Sequence, residues 1–338
     1  MSLDVTLIAG DGIGPEISDA TVKVLEATGA QFNWDRQVGG MAAIESVGTP
    51  LPDATVASIR RTGVALKGPL TTPVGEGYRS VNVALRREFQ LYANVRPTHT
   101  IIPGGRYENV DIVLVRENLE GLYVGVEHFV PVGDDPRAVA EALAIVTRVG
   151  CERVVRHAFE YALAHGRKKV TLVHKANILK MASGLFLEVG RDVARTYAGR
   201  VECNDLIIDN AAMQLVMRPE QFDVIVTTNM FGDILSDLIS GLAGGLGLAP
   251  GANIGATAAI FEAVHGSAPD IAGKGIANPA ALMLAGAMML DHLGEPERAG
   301  RLRAAVEAVI VTDNIRTRDL GGTVSTRDFG DAVAQRLR

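Results

Sequence analysis

Two aspartates, Asp233 and Asp237, stand four residues apart in the stretch NMFGDILSDLISGLAGGLG. On a helix that spacing puts both carboxylates on one face, where like charges destabilise by roughly 0.2–0.5 kcal/mol. Ile234, Leu235, Leu238, Ile239 and Leu242 read as an apolar stripe on another face, and no lysine or arginine within the helix offsets the acidic pair. One reading is a solvated face, with Asp233 favouring the helix N-terminus. The other is a cation site. Asp209 ends the apolar run of LIIDNAAMQLV and would supply a third carboxylate. Three oxygen donors without cysteine or histidine nearby suit a hard ion, Mg2+ or Mn2+, rather than zinc.

A second cluster has the opposite sign. GYRSVNVALRREFQLYANVRP and LVRENLEGLY gather Arg79, Arg86, Arg87, Arg96 and Arg116 in an otherwise acidic chain. If SVNVALRREF is a helix capped by Ser80, then Asn82 and Arg86 share a face. The planar fork of arginine matches carboxylates bidentately, so several arginines beside hydroxyl and amide donors suit a small polyanion. Any one of them alone reads equally well as a surface residue.

The elements that must position these groups alternate. VTLIAG, GVALKG, DIVLVRE, KVTLVHK and FDVIVTTN read as buried strands, each followed by turn residues and a 3.6-residue period. This alternation predicts an α/β protein with a largely parallel sheet. GVEHFVPVGDDPRAVAEALAIV is less regular and could leave the main body as an arm or dimer contact.

The start of the chain, TLIAGDGIGPEISDATVKVLEATG, invites a dinucleotide-binding reading and fails it. Gly10 and Gly12 fit the G-x-G-x-x-G pattern, but Pro15 stands at the third position, with Gly14 one residue early. The acidic residue that should close a second strand is offered only by Asp35, in a context that does not read as strand. A cofactor would therefore bind by a non-Rossmann site.

Composition narrows the partners. At 338 residues and 47% hydrophobic content the chain can bury a large core and divide into two domains. A formal charge of −6, from 33 basic and 39 acidic side chains with no basic stripe, argues against nucleic acid. NPAALMLAGAMMLDHLG is too short to span a bilayer before Asp291, so no membrane is expected. Cys151 and Cys203 fit no metal spacing and read as buried, reduced thiols. An apolar strand close behind the first residue leaves little room for a leader, and the expected location is cytoplasmic.

Taken together, GDGIGPE, KGPLTTPVG, RENLEGLY, HKANILK, GDILSDLISGLAGGLG and FEAVHGSAPDIAGKGIANP resemble the isocitrate/isopropylmalate β-decarboxylating dehydrogenases over essentially the whole chain. The resemblance implies a two-domain α/β fold. A large domain would take 1–98 with 249–338 and the cofactor side, and a small domain 99–248 with a dimer clasp near 121–150. It implies a homodimer with shared active sites, in which Asp233 and Asp237 bind the metal with Asp209 reaching across from the partner. Arg86, Arg96 and Arg116 would hold substrate carboxylates. Tyr123 and Lys175 would be the acid–base pair, with Lys175 and Asn177 entering the neighbouring site. The adenosine side would lie along His265, Gly266, Ser267, Ala268 and Asn278, with Thr72 near the nicotinamide.

Two finer choices follow. Asp270, followed by Ile271, can accept from a ribose 2′-OH and would repel a 2′-phosphate, which favours NAD over NADP; the NADP-preferring members resemble this stretch with lysine and tyrosine at these positions. Ser80 and Asn82 match the pattern by which isocitrate dehydrogenases reach a third carboxylate, so a tricarboxylic acid is expected, since polar donors left unpaired would reject an alkyl tail. The alternatives are homoisocitrate or 3-isopropylmalate as substrate, and a regulatory subunit of a heteromeric enzyme.

Overall fold

The opening apolar run forms β1 (Leu3–Ile8), buried from Val5 onward. Helix α1 (Gly14–Ala27) follows with Pro15 in its first turn, where the missing N–H costs nothing. β2 (Phe32–Gln37) then pairs parallel to β1, Leu3 opposite Phe32 through Ile8 opposite Gln37. Here the structure corrects the sequence reading, because Asp35 lies on a strand. FNWDRQ is polar because β2 is an edge strand, pairing on one side only. The computed structural model describes residues 2–73, 77–104 and 107–338.

Helices α2 (Met41–Val47) and α3 (Asp53–Thr62) lead to β3 (Val64–Lys67), helix α4 (Val81–Glu88) and β4 (Ala93–His99). β5 (Asp111–Glu117) precedes a hairpin of β6 (Glu127–Val132) and β7 (Asp135–Ala142). Then come α5 (Arg148–Ala164), β8 (Lys169–His174), α6 (Ala182–Arg195), β9 (Glu202–Ile207), α7 (Ile208–Met217), β10 (Val224–Thr227) and α8 (Asn229–Ala243). β11 (Pro250–Ile254), β12 (Ala259–Ala263), α9 (Ala280–His292), α10 (Pro296–Val311) and α11 (Thr326–Leu337) complete the chain.

The chain packs as two compact units: Met1–Leu91 with Arg96–Val110 and Ser240–Arg338, and Tyr92–Val95 with Asp111–Ile239. The domain division drawn from the resemblance sets its boundaries at 98/99 and 248/249 instead. In the first unit the strands run β2-β1-β3-β12-β11, parallel except where β11 meets β12. Helix α9 packs on β11 and β12 and is buried nearly throughout, so its apolar length serves the core. Among the described residues no helix is long and apolar enough to cross a membrane.

In the second unit the order is β5-β10-β8-β9, all parallel. β10 is buried at every position, as expected of a strand with neighbours on both sides. The irregular segment after Gly125 is the β6–β7 hairpin, an antiparallel arm whose Phe129, Val132 and Val139 are exposed. Two expectations fail. Cys203 is exposed, since β9 is an edge strand, whereas Cys151 is buried and its thiol is pushed up to about 12 by that burial. Ile234 is 61% exposed and leaves the apolar stripe of α8, whose buried face is Leu235, Ile239 and Ala243 with Ser236 and Ser240.

Candidate active site

In the second unit, β5 delivers Arg116 to an interior position, 1% exposed, where a guanidinium must find partners. Helix α8 supplies them. Asn229 Oδ1 accepts from Nε at 3.0 Å and from Nη2 at 2.7 Å, and Asp233, one turn on, accepts from Nη1. Gly232 permits this approach, because a Cβ there would lie 2.6 Å from Arg116 Cγ. Tyr123, on a 3-10 turn at Leu122–Val124, donates its hydroxyl to the other oxygen of Asp233. The Arg116 guanidinium carbon sits 5.1 Å from that ring's centroid, within cation–π range. Asp233 thus accepts a cation on one oxygen and a phenol on the other. Asp237 lies exposed one turn further along.

Lys175 follows β8 and pairs with Asp209 in the first turn of α7. The hydrogen bond from Lys175, and then Asp209's own backbone N–H, hold this carboxyl below the usual range. Asn177 is exposed in the turn after Lys175, beside Ile178 and Met181, which are also exposed. Among the described residues, no three carboxylate, imidazole or thiol side chains of one chain gather as a metal site. Asp209 meets Lys175 rather than the α8 pair. Asp233 and Asp237 are oxygen donors one turn apart, the donor type that hard cations take.

In the first unit, Ser80 caps α4 by accepting from Val83 N at 3.4 Å. Asn82 and Arg86, one turn apart, line one small cavity with Lys67, Asn253 and Glu262. Lys67 pairs with Glu262 at 2.6 Å, Asn253 Nδ2 donates to its other oxygen at 2.7 Å, and Arg86 Nη2 stands 3.8 Å away. These cations pull the buried Glu262 carboxyl down to about 2 against the opposing effect of desolvation. Arg96, on β4, is 6% exposed.

The same unit holds an open cavity of about 610 Å3, of a size that takes a small-molecule ligand. His265, Gly266, Ala268, Ile271 and Asn278 line it, while Ser267 and Asp270 do not. Burial lowers the His265 pKa, which favours a neutral ring. Asn278 Nδ2 donates to Asp319 at 2.9 Å, and its oxygen caps Ala280 N at 2.9 Å. Ser267 is instead structural: its hydroxyl bonds Thr71 Oγ1 at 2.7 Å and its carbonyl accepts from Ile13 N at 2.9 Å. Asp270 is exposed on the turn Pro269–Ile271, and Thr72 is exposed beside Thr71.

The glycine-rich opening finds its explanation here. Gly12 has φ +59°, and a Cβ on it would collide with the Ser267 carbonyl; Gly10 has φ +85° and meets Pro69 in the same way. Protein carbonyls take the first N–H groups of this turn: Pro69 binds Asp11 N, Ser267 binds Ile13 N and Asp11 binds Gly14 N. The amides that hold pyrophosphate in a Rossmann site are occupied, and Ile13 gives the cavity an apolar wall instead.

Comparison with known proteins gives this geometry a family. Residues 4–333 match the isocitrate/isopropylmalate dehydrogenase family. The chain belongs to that family. Its dehydrogenases are oxidoreductases. Catalytic subunit 5 of the mitochondrial NAD isocitrate dehydrogenase of Arabidopsis thaliana is 46% identical over 338 residues, covering 99% of this chain and 88% of its own. An isocitrate/homoisocitrate dehydrogenase of Thermus thermophilus is 48% identical over 341 residues, covering 100% of this chain and 99% of its own. A crystal structure of isocitrate dehydrogenase from Methylococcus capsulatus is 58% identical with a TM-score of 0.96, over 99% of both chains.

Several residues of this dehydrogenase escaped the sequence reading. Lys67 comes from β3, far in sequence from the consecutive strands β11 and β12 that carry Asn253 and Glu262, and Glu262 inside FEAVHGS was the one signal, a charge within an otherwise buried strand. Arg318 and Asp319 line the large cavity from a 3-10 turn near the C-terminus, where no motif marks them.

Proposed function

We propose that this family member oxidatively decarboxylates isocitrate to 2-oxoglutarate and CO2 with reduction of NAD, in the presence of Mg2+ or Mn2+. The observation that supports the reading most is the shared carboxylate of Asp233, approached by a buried guanidinium and a phenol. Asp233 and Asp237, with Asp209 of a second copy, would hold the divalent cation, which as a Lewis acid favours ionisation of the C2 hydroxyl and withdrawal of electrons into the ketone. NAD, the hydride acceptor, would take its adenosine side to the His265–Asn278 cavity, with Asp270 toward the ribose hydroxyls and Thr72 on the nicotinamide side.

The chain's own groups do the rest. Arg86, Arg96 and Arg116, with Ser80 and Asn82, bind three carboxylates and fix the substrate for reaction. Lys175 of a second copy, with Asn177 beside it, takes the C2 hydroxyl proton; a lysine acts as a base only where its surroundings favour the neutral amine. Hydride leaves C2 for the cofactor, and the bond from C3 to the departing carboxylate then breaks. Its electron pair stays at C3, where Tyr123 returns a proton. Atoms and charge balance as isocitrate and NAD+ giving 2-oxoglutarate, CO2 and NADH.

The assembly follows the same reading: a homodimer, consistent with Lys175 pairing with Asp209 away from the α8 aspartates and with the exposed apolar hairpin and turn. Homoisocitrate is the second reading, favoured by the name of the Thermus relative. Cytoplasmic location stays a proposal, as the Arabidopsis relative is mitochondrial by name. The test is a substrate panel: isocitrate, homoisocitrate and 3-isopropylmalate, each with NAD or NADP and Mg2+. A kcat/KM for isocitrate with NAD well above the rest is the expected result, and a preference for either other acid overturns the substrate assignment.

A further inference from the structure

Glu262 takes no part in the chemistry above, yet it is the centre of a built electrostatic arrangement. It lies on β12, and both its own side chain and that of Lys67 are buried. Removing a carboxylate and an ammonium from water is costly, and a stretch serving packing alone would be cheaper with apolar residues. Each of its oxygens already accepts one hydrogen bond, Oε2 from Lys67 Nζ at 2.6 Å and Oε1 from Asn253 Nδ2 at 2.7 Å. Arg86 Nη2 stands at 3.8 Å, close enough to be attracted but too far for a hydrogen bond. Arg86 Nε and Asn82 Oδ1 are buried with no hydrogen-bond partner among the described residues. Burying such atoms unpaired is costly, a cost tolerated where a ligand relieves it.

The geometry points to Glu262 as a positioning residue for substrate recognition: held by Lys67 and Asn253, one on each oxygen, it orients the Arg86 guanidinium by charge from 3.8 Å while leaving the Arg86 donors uncommitted for a substrate carboxylate. The inference rests on the proposal that Arg86 binds substrate. Lys67 has a definite part in it. Without Lys67, Glu262 Oε2 would lose its bond and could draw Arg86 into a closed ion pair. Asn253, reaching across from β11, fixes which way the carboxylate faces by donating both to Glu262 and to the Ile260 carbonyl at 3.2 Å.

The test uses the full chain with NAD and Mg2+ and reads KM and kcat for isocitrate, together with its calorimetric affinity. Glu262→Gln is expected to raise KM tenfold or more and weaken binding in parallel, with kcat within threefold of the parent. Because Glu262→Gln leaves Lys67 buried without its counter-charge, the double variant Glu262→Gln with Lys67→Met accompanies it to restore neutrality. The double variant is expected to regain thermal stability without regaining affinity. Recovery of affinity alongside stability would show that Glu262 only balances charge, and would overturn the inference. So would an unchanged KM in a folded Glu262→Gln protein. Arg86→Gln separates the two levels of argument. If it leaves isocitrate affinity intact, the substrate role of Arg86 itself is wrong. If it destroys affinity while Glu262→Gln does not, only the positioning role falls.

Discussion

Two buried arginines face two carboxylates in this chain, and the pairs are built on different terms. Arg116 is anchored: Asn229 accepts from its Nε and Nη2 and Asp233 from its Nη1, three bonds of a group with five N–H donors, and Gly232 is small enough to let it approach helix α8. Its carboxylate partner is the exposed half of the pair, the Asp233 side chain being 37% accessible against 1% for Arg116. At the Arg86 site the carboxylate is the buried member, bonded on both oxygens, and the arginine has donors to spare. A partly hydrated carboxylate can exchange partners at modest desolvation cost, which suits the cation-binding role proposed for Asp233. A carboxylate locked between two cations cannot, and suits a fixed reference for aiming something else. Burial thus separates an exchangeable carboxylate from a fixed one, although both sit beside arginine.

The largest effect expected to test this contrast is at Tyr123, whose hydroxyl shares Asp233. Tyr123→Phe is predicted to lower kcat by about 10²–10⁴-fold with little change in melting temperature, measured by steady-state assay and calorimetry. A small loss of turnover would make the phenol a packing group. Next comes Glu262→Gln, which should cost about 3–5 kcal/mol of folding stability near neutral pH, because it strands buried cations. The carboxyl sits at about 2 in the folded protein against 4.5 ordinarily. Its stabilisation is therefore complete above about 4.5 and lost as pH falls toward 2. Urea unfolding curves of parent and variant should converge over that window, and a gap constant with pH would contradict the ion-pair account.

Smaller effects follow at the cavity and on α5. Asp270→Lys is expected to move the NAD-to-NADP ratio of kcat/KM about tenfold toward NADP, roughly 1.4 kcal/mol. An unmoved ratio would pass the discrimination to Arg318, the cation already on the cavity wall. His157, set edge-on to Tyr92 at 5.8 Å, is pushed down to about 4 by burial from 6.5. The unfolded chain binds that proton first, so the parent should lose stability as pH falls from 6.5 to 4. His157→Phe should flatten that slope in melting temperature, and an unchanged slope would place the titration elsewhere.

Much of the fold was legible because burial imprints itself locally. DIVLVRE is β5 residue for residue, and Ser80 caps α4 as its spacing implied. Where solvent replaces a neighbour, legibility fades. FNWDRQ and Cys203 lie on edge strands, whose open sides impose no apolar pattern. Ile234 misled for the converse reason: apolar yet exposed on α8, it marks a surface that a single chain does not cover. Asp233 and Asp237 announced themselves as an acidic pair with no cation in their helix, and the arginines as a basic cluster in an otherwise acidic chain. Lys67, Asn253, Glu262 and Arg318 acquire significance only by long-range packing, which no local period encodes. The failed glycine pattern was informative in its failure, since Gly12 is glycine to let Ser267 approach, not phosphate.

The most direct test of the account is to follow NADH and CO2 together from isocitrate, with Mn2+ present, after exhaustive chelation and after its return. The account predicts equal amounts of both products, near-complete loss on chelation and recovery with the ion, all abolished in Asp233→Asn. NADH formation that survives chelation, or Asp233→Asn retaining full turnover, would contradict it.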